Sequence, residues 1–557
     1  MAQQRRPAQG ALAAGVGLLL LAACAPSPAV PVPAPGPGGP PAPAAPAAPA
    51  PTTKQPQSGG LFRWANHDDT PYFDPFQSGS GARWVHMGLI YNGLMKWPNE
   101  PVFALDKVLC DLCEKWEQPD PQTYMFRLRQ GVKFHNLPPA NGREMTADDV
   151  VFSWERMLSG NPKFQEALFF KPIVSKVEAL DRYTVKISLS SPLPAFLYQL
   201  ADTKAGVMVV AREAVAEDDL LTTTAVGTGP FMLKERTPKV KSLYLKNPDY
   251  FEKGLPYLDA IEVLTIPDLV ARFNALRAGQ VDDAGYFLTR ENTRTIETRH
   301  PELTYEAGIR GKPLAAVRFN VTASPVNDLR VRRAMFLAVD RDELIETIYL
   351  GDAIVNEWIT SLVGGVAPSD EELRKKPGFR APKDQDLAEA RRLLAEAGYP
   401  GGLKLKLQVL KGEASDTAVV LREQMKKIGL DLEIEIVESA VMTKREQDGA
   451  YEVQIQRPDD APPFARSLLQ YYTGNDMKYS NQRMDELVSQ AKVTSSTEEH
   501  RRIYREAVSI LDRDLPLIPL ITSKHYRAWP KKFQGLRVDP VSYGLGTRWM
   551  SNAWLER

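Results

Sequence analysis

Residues 319–345 read FNVTASPVNDLRVRRAMFLAVDRDELI. A short apolar strand, Ala316 to Val321, leads into them, and a strong helical pattern runs from Asp328 to Leu350. Asp328 stands where an N-cap is favoured, with Arg330, Arg332 and Arg333 opening the helix beside it. Val331, Ala334, Met335, Ala338 and Val339 supply one apolar face. Downstream the chain alternates. Asp386 to Ala397 predicts a helix stopped by Gly398, and Leu403 to Leu410 a strand. Thr417 to Ile428 predicts a helix closed by Gly429, and Leu432 to Val437 a second strand. That order predicts an α/β lobe with a partly parallel sheet. Further on, Glu498 to Asp512 reads as a helix and LPLIPLI, Leu515 to Ile521, as a buried strand-like run.

Upstream, Gly60 to Ala65 alternates as a strand and is followed by the loop NHDDTPYFDPF, residues 66–76. Ala82 to Met95 carries apolar residues at helical spacing, and Thr123 to Arg129 alternates as a strand. Thr146 predicts an N-cap, with Asp149 completing a variant capping box before the helix DVVFSWERML. Val177 to Leu189 reads as two strands about a turn at Asp181-Arg182, and Pro194 to Leu200 starts a helix. In GTGPF, Gly227 to Phe231, the glycines permit backbone angles that a side chain would obstruct. SLYLKNPDYF reads as a second hairpin-like stretch, and Asp268 to Ala278 as an amphipathic helix ended by Gly279. Cys110 and Cys113 form a C-x-x-C pair without a second pair or nearby His to complete a metal site. They read as two part-buried thiols or as one tight disulfide.

At 557 residues the chain predicts two or three domains. Lys plus Arg and Asp plus Glu both number 69, so no basic surplus is present to neutralise a phosphate backbone, and nucleic acid is not an expected partner. Near the start, Arg5 and Arg6 precede a short apolar run, Ala11 to Ala22. That run is shorter than the roughly 20 residues a membrane span needs but suits a signal peptide. Leu21-Ala22-Ala23-Cys24 resembles the bacterial lipobox, in which the Cys is acylated and becomes the mature N-terminus. Residues 1–24 are therefore expected to be a lipoprotein signal peptide ending at lipidated Cys24. The Pro/Ala-rich tract 25–58 lacks the apolar side chains to offset its ordering entropy and is expected to be a disordered tether. H-E-x-x-H, G-x-S-x-G and phosphate-loop patterns are all missing, so no residue is read as catalytic.

Five segments resemble, in order, those of a known family. They are LCEKWEQPDPQTYMFRLRQGVKFHN, MTADDVVFSWERM, VGTGPFML, the 319–345 stretch, and ARRLLAEAGYPGGLKLKL. The family is that of the bacterial extracellular solute-binding proteins serving oligopeptide and dipeptide importers, solute-binding family 5. The resemblance implies an α/β, two-lobed, hinge-closing periplasmic-binding-protein-like fold with an extra domain inserted in the first lobe. Lobe one is expected over 59–96, 226–318 and 525–557, the insertion over 97–225, and lobe two over 319–524. The chain is then expected to cross between lobes near Arg318-Phe319-Asn320 and again from Ile521 to Tyr526.

The resemblance further implies a monomer, exported and lipid-anchored, that hands a peptide or other small solute to the permease of an ABC importer, with no cofactor and no metal. In peptide-binding members, a second-lobe carboxylate pairs with the ligand's free amine. The comparable segment here is QIQRPDDAPPF, which lacks the family's tryptophan and "A-D-Y". Asp459 or Asp460 is the candidate for the amine, and Arg457 for a ligand carboxylate. Tyr72, Phe73, Trp84 and Trp358 are candidate aromatic walls, and Asn320 a candidate at the crossover. The same fold also serves nickel chelates, opines, sugars or haem, and sensor or chaperone-like lipoproteins.

Overall fold

Two apolar cores drawn from different stretches of chain organise the structure, a computed structural model. It describes residues 55–77, 83–98, 108–161, 164, 170–193, 196–201, 207–215, 221, 225–285, 288–309, 315–355, 357–358, 368–410, 413–456, 471, 473–494, 497–537 and 548–557. Cys24 and most of the predicted tether lie outside them, as do Arg457, Asp459 and Asp460. The first core runs from Phe62 to Val263 and takes in Trp529, Phe533 and Met550 from the far end of the chain. The second spans Ala316 to Ile521. A small third cluster gathers Ala65, Phe273, Leu276, Leu288, Leu303 and Tyr526.

Around the first core, strand Leu61–Asn66 lies parallel to Ala260–Thr265, and Lys241–Lys246 and Phe231–Thr237 complete a four-stranded sheet. A separate four-stranded sheet is antiparallel, in the order Cys113–Asp120, Thr123–Leu128, Thr184–Leu189, Val174–Asp181. Its TYMFRL strand buries Tyr124, Phe126 and Leu128 on one face, as a period of two requires. Helix Ala147–Leu158 packs on this sheet, and the Asp149 carboxylate accepts from the Thr146 backbone N–H at 2.9 Å, as the capping box predicts.

Two expectations need correction in this half, and one open choice is resolved. The helix predicted over 82–95 is described as Arg83–Ile90, because Met95–Lys96 instead pairs as a short strand with Leu109–Cys110. Cys110 and Cys113 are joined as a disulfide, which settles the choice the sequence left open. Gly227 and Gly229 are required for contact, since neither has a positive φ. A Cβ on Gly227 would stand 2.1 Å from the Ile90 carbonyl oxygen, and one on Gly229 would stand 2.5 Å from it. The Gly229 N–H donates to that same oxygen at 2.7 Å.

The second core is built on a seven-stranded sheet. Its order is Leu303–Ile309, Leu517–Pro530, Ala315–Phe319, Val453–Gln456, Leu403–Val409, Leu430–Ile436, with Ala353–Val355 also paired to Leu517–Pro530. Leu403–Val409 runs parallel to both its neighbours, so the partly parallel sheet predicted from helix-strand alternation is present. The helix predicted over 328–350 is two, Leu329–Ala338 and Arg341–Tyr349. Val339 turns extended, and the Asp340 carboxylate accepts from the Asp342 and Glu343 N–H groups, starting a new helix.

The arginines of this segment serve backbone carbonyls. Arg332 donates to the carbonyls of Leu515, Asp514, Val326 and Asn327. Arg341, fully buried between Phe336 and Phe379, donates to Pro519 and Gly378. Both therefore fasten the start of the strand Leu517–Pro530. That strand extends nine residues beyond the run LPLIPLI and links all three apolar clusters, through Ile518, Tyr526 and Trp529.

Candidate functional site

In open α/β sheets, ligands bind outside the carboxyl ends of the parallel strands. In the second half those ends are Val409, Ile436 and Gln456. Ala315–Phe319 is antiparallel to Val453–Gln456, so it begins at this same end, with Ala316 opposite Gln456 and Ala315 opposite Ile521. Here Leu517–Pro530 leaves the second core. In the first half, Leu61–Asn66 and Ala260–Thr265 end together at Asn66 and Thr265, and Ala65 packs in the third cluster with Tyr526 of the departing strand. The strand ends of both halves thus adjoin the crossing strand, which makes this region the candidate site.

On the first-half side the site is framed by the loop 66–77, held from several directions. Asp69 accepts from Arg236 at 2.8 Å and from the Lys239 N–H at 2.8 Å. The buried Asp74 pairs with Arg156 and accepts from the Phe76 N–H at 2.9 Å. Phe73 is fully buried beneath the Arg236 guanidinium, 5.3 Å from its ring centre, and Trp84 is buried in the same core. Tyr72 is half-buried, and its carbonyl accepts from the Thr70 hydroxyl. Tyr72, Phe73 and Trp84 therefore belong to one region, with Tyr72 the most open of the three. No cluster of three or more His, Cys, Asp or Glu side chains able to hold a metal occurs among the described residues.

On the second-half side, four polar residues stand in register across adjacent strands: Arg318, Gln454, Gln408 and Glu435. Gln454 donates to Gln408 at 3.2 Å, and Arg445 donates to Glu435 at 2.8 Å. Arg318 donates to Gln456 at 2.8 Å, Gln456 in turn donates to Glu446, and the Arg318–Glu446 ion pair closes at 3.7 Å. This polar layer, buried at Arg318, Gln454 and Gln408 and part-exposed at Glu435, ends at Gln456, the last described residue before the segment that carries Arg457, Asp459 and Asp460. Sequence reading missed it, although the alternation of Val453 and Ile455 with Gln454 and Gln456 was its visible signal.

The other two candidates stand within the second half. Asn320 donates to the Gly449 carbonyl at 2.9 Å and accepts from the Thr322 hydroxyl at 2.8 Å, so its amide fixes a turn. Trp358 donates from Nε1 to Asp512 at 2.6 Å and meets the Tyr471 ring edge-on. A cavity of about 690 Å³ lies wholly in the first half, lined among others by Asn92, Lys96, Trp97, Asp111, Arg129 and Glu252. Lys96 there is paired with Glu252 and with Asp111.

The family model for bacterial extracellular solute-binding proteins, family 5 middle, matches residues 107–480. The chain belongs to that family. It is similar to the dipeptide-binding protein of Pseudomonas aeruginosa, at 26% identity over 86% of this chain and 93% of the relative. It is equally similar, at 26%, to haem-binding protein A of Haemophilus influenzae, over 78% of this chain and 82% of that one. Among solved structures, the periplasmic binding protein DppA of Helicobacter pylori in complex with the peptide STSA superposes with a TM-score of 0.70. That match has 25% identity and covers 90% of this chain and 99% of the other. The family 5 protein is thus a two-lobed α/β solute-binding protein of an ABC importer, binding peptides or related solutes, and not an enzyme.

Proposed function

We propose that this solute-binding protein is an exported, lipid-anchored monomer that captures short peptides between its lobes and delivers them to the importer's permease. The observation that supports a peptide most is the likeness to a dipeptide-binding protein along 93% of that relative's length. The lobes in this reading are 59–96, 226–318 and 525–557 for the first, with 97–225 inserted, and 319–524 for the second. Asp459 or Asp460 takes the peptide's amine and Arg457 its carboxylate, on the segment that follows Gln456 in the chain. Tyr72 faces the solute from the first lobe. Among the described residues no helix is long and apolar enough to cross a membrane, and Cys24 supplies the anchor in this reading. Two acyl chains on one Cys suffice for stable attachment.

Haem is the second reading, favoured by the equal identity to a haem-binding protein. Mass spectrometry of the solute that co-purifies with the tag-free protein tests both, together with melting temperatures in the presence of di- to pentapeptides or haem. A bound solute raises the melting temperature by mass action. A rise with peptides is expected; no response to any peptide alongside a rise with haem replaces the first reading with the second. Cys24→Ala is expected to release the protein from membranes, and retention in the membrane fraction would remove the anchor.

A further inference from the structure

The strand Leu517–Pro530 pairs with three strands in turn along its length. Up to Ser523 it pairs with Ala315–Phe319 and Ala353–Val355, and from Lys524 onward with Leu303–Ile309. Its first part belongs to the second core and its later part to the third and first. The change at Ser523–Lys524 is therefore where the chain passes from one lobe to the other.

Two neighbouring side chains stand just beyond that point and do different things. Tyr526 packs its ring in the third cluster, edge-on to Tyr305 at 5.6 Å, while its hydroxyl donates to the Asp352 carboxylate. Asp352 follows helix Arg341–Tyr349 and precedes strand Ala353–Val355, both packed with the second core. Its carbonyl also accepts from the Lys524 N–H at 3.0 Å. The same helix starts with Arg341 fastened to the Pro519 carbonyl, so it is joined at both ends to one strand, like a splint. Arg527, on the opposite face of the strand, donates to the fully buried Asp283 and lies 4.2 Å from the Trp64 ring centre. The other oxygen of Asp283 accepts from the Gly285 N–H at 2.6 Å.

We infer that Tyr526, acting through Asp352, is a positioning residue that sets the angle between the lobes, with Arg527 and Asp283 as its fixed footing in the first. The inference rests on the reading that the lobes close on a solute. Bending the strand at Ser523–Lys524 moves Asp352 against the Tyr526 ring, because carboxylate and ring are carried on opposite sides of the bend. Arg527, Asp283 and Trp64 all lie on one side and move together. A hydrogen bond to a carboxylate is worth enough to change a two-state ratio by about tenfold.

The test is single-molecule energy transfer in the solute-free protein. Dyes are placed at the exposed positions Val240→Cys and Val419→Cys, on the two lobes, with Cys24→Ser and no reductant. Tyr526→Phe is expected to change the ratio of the interlobe distance populations about tenfold. Asp352→Asn, which keeps an acceptor, is expected to change it less. Tyr305→Phe, which touches the same ring but not Asp352, is expected to leave it unchanged. If Tyr526→Phe does not fold, Asp352→Ala carries the same expectation. An unaltered ratio in a folded Tyr526→Phe protein, or an equal shift with Tyr305→Phe, would overturn the inference. Because no solute is present, a wrong ligand class leaves this result standing.

Discussion

At Gly227, beside the first core, two backbones lie against each other with nothing between them, whereas at Arg341, in the second, a guanidinium fills the space between backbones. Both sites lie in segments that carry the family resemblance, yet the forces differ. The glycine turn is steric and neutral. His135 locks it, donating from Nε2 to the Gly229 carbonyl at 3.0 Å and accepting at Nδ1 from the Gly227 N–H. Burial of the ring favours its neutral form. The arginine site is electrostatic: burial pulls Arg341 down to about 9, and carbonyl dipoles replace the water it lost. A turn held by contact tolerates no added atom, while a turn held by donors tolerates no lost one.

Acid separates the two sites most. Burial holds His135 and His86 down to about 4, against 6.5 unfolded. The unfolded chain gains protons below pH 6.5 that the folded chain refuses until about 4. Stability is therefore lost as pH falls through this window, by roughly 3 kcal/mol for each histidine. Asp283, raised to about 6 chiefly by burial, works in the opposite sense. The comparison to make is thus between the native chain and His135→Gln, which should flatten the fall in denaturant-unfolding free energy between pH 6.5 and 4. An identical slope in both would break the contrast.

Gly227→Ala comes next. A Cβ at 2.1 Å from a backbone oxygen cannot be relieved by a rotamer change, so a loss of about 3 kcal/mol or more is expected in denaturant unfolding. Arg341→Met tests the other site. It removes a costly buried charge but strands the Pro519 and Gly378 carbonyls, for a net loss of about 2 kcal/mol. Hydrogen exchange should loosen first along 517–523 in that variant, and a uniform loosening would weaken the clamp assignment. The smallest effect belongs to the disulfide. Closing so short a loop restrains the unfolded chain by no more than about 2 kcal/mol, so reduction should lower the melting temperature only slightly.

The sequence carried the scaffold further than the site. Alternation exposed TYMFRL, and the capping pair Thr146 and Asp149 placed a helix start, because both are local signals. Asp340 as a cap inside a continuous helical pattern was overlooked, since apolar spacing persists through the break at Val339. The run LPLIPLI was visible only to Ile521. Beyond it, Lys524, His525 and Arg527 read as polar, and their pairing depends on strands more than 160 residues away. The pairing of Arg318 and Gln454 escaped notice for a similar reason: it joins side chains from three separate strands and a helix. Phe73 and Trp84, chosen as pocket walls, are buried in the first core, where aromatic residues in a sequence give no sign of which way they face.

Small-angle scattering of the native protein, before and after saturation with whichever solute the melting-temperature screen identifies, bears most directly on capture between two jointed bodies. The radius of gyration is expected to contract on binding, with the contraction altered by Tyr526→Phe. A solute that binds stoichiometrically and leaves the scattering curve unchanged would contradict closure.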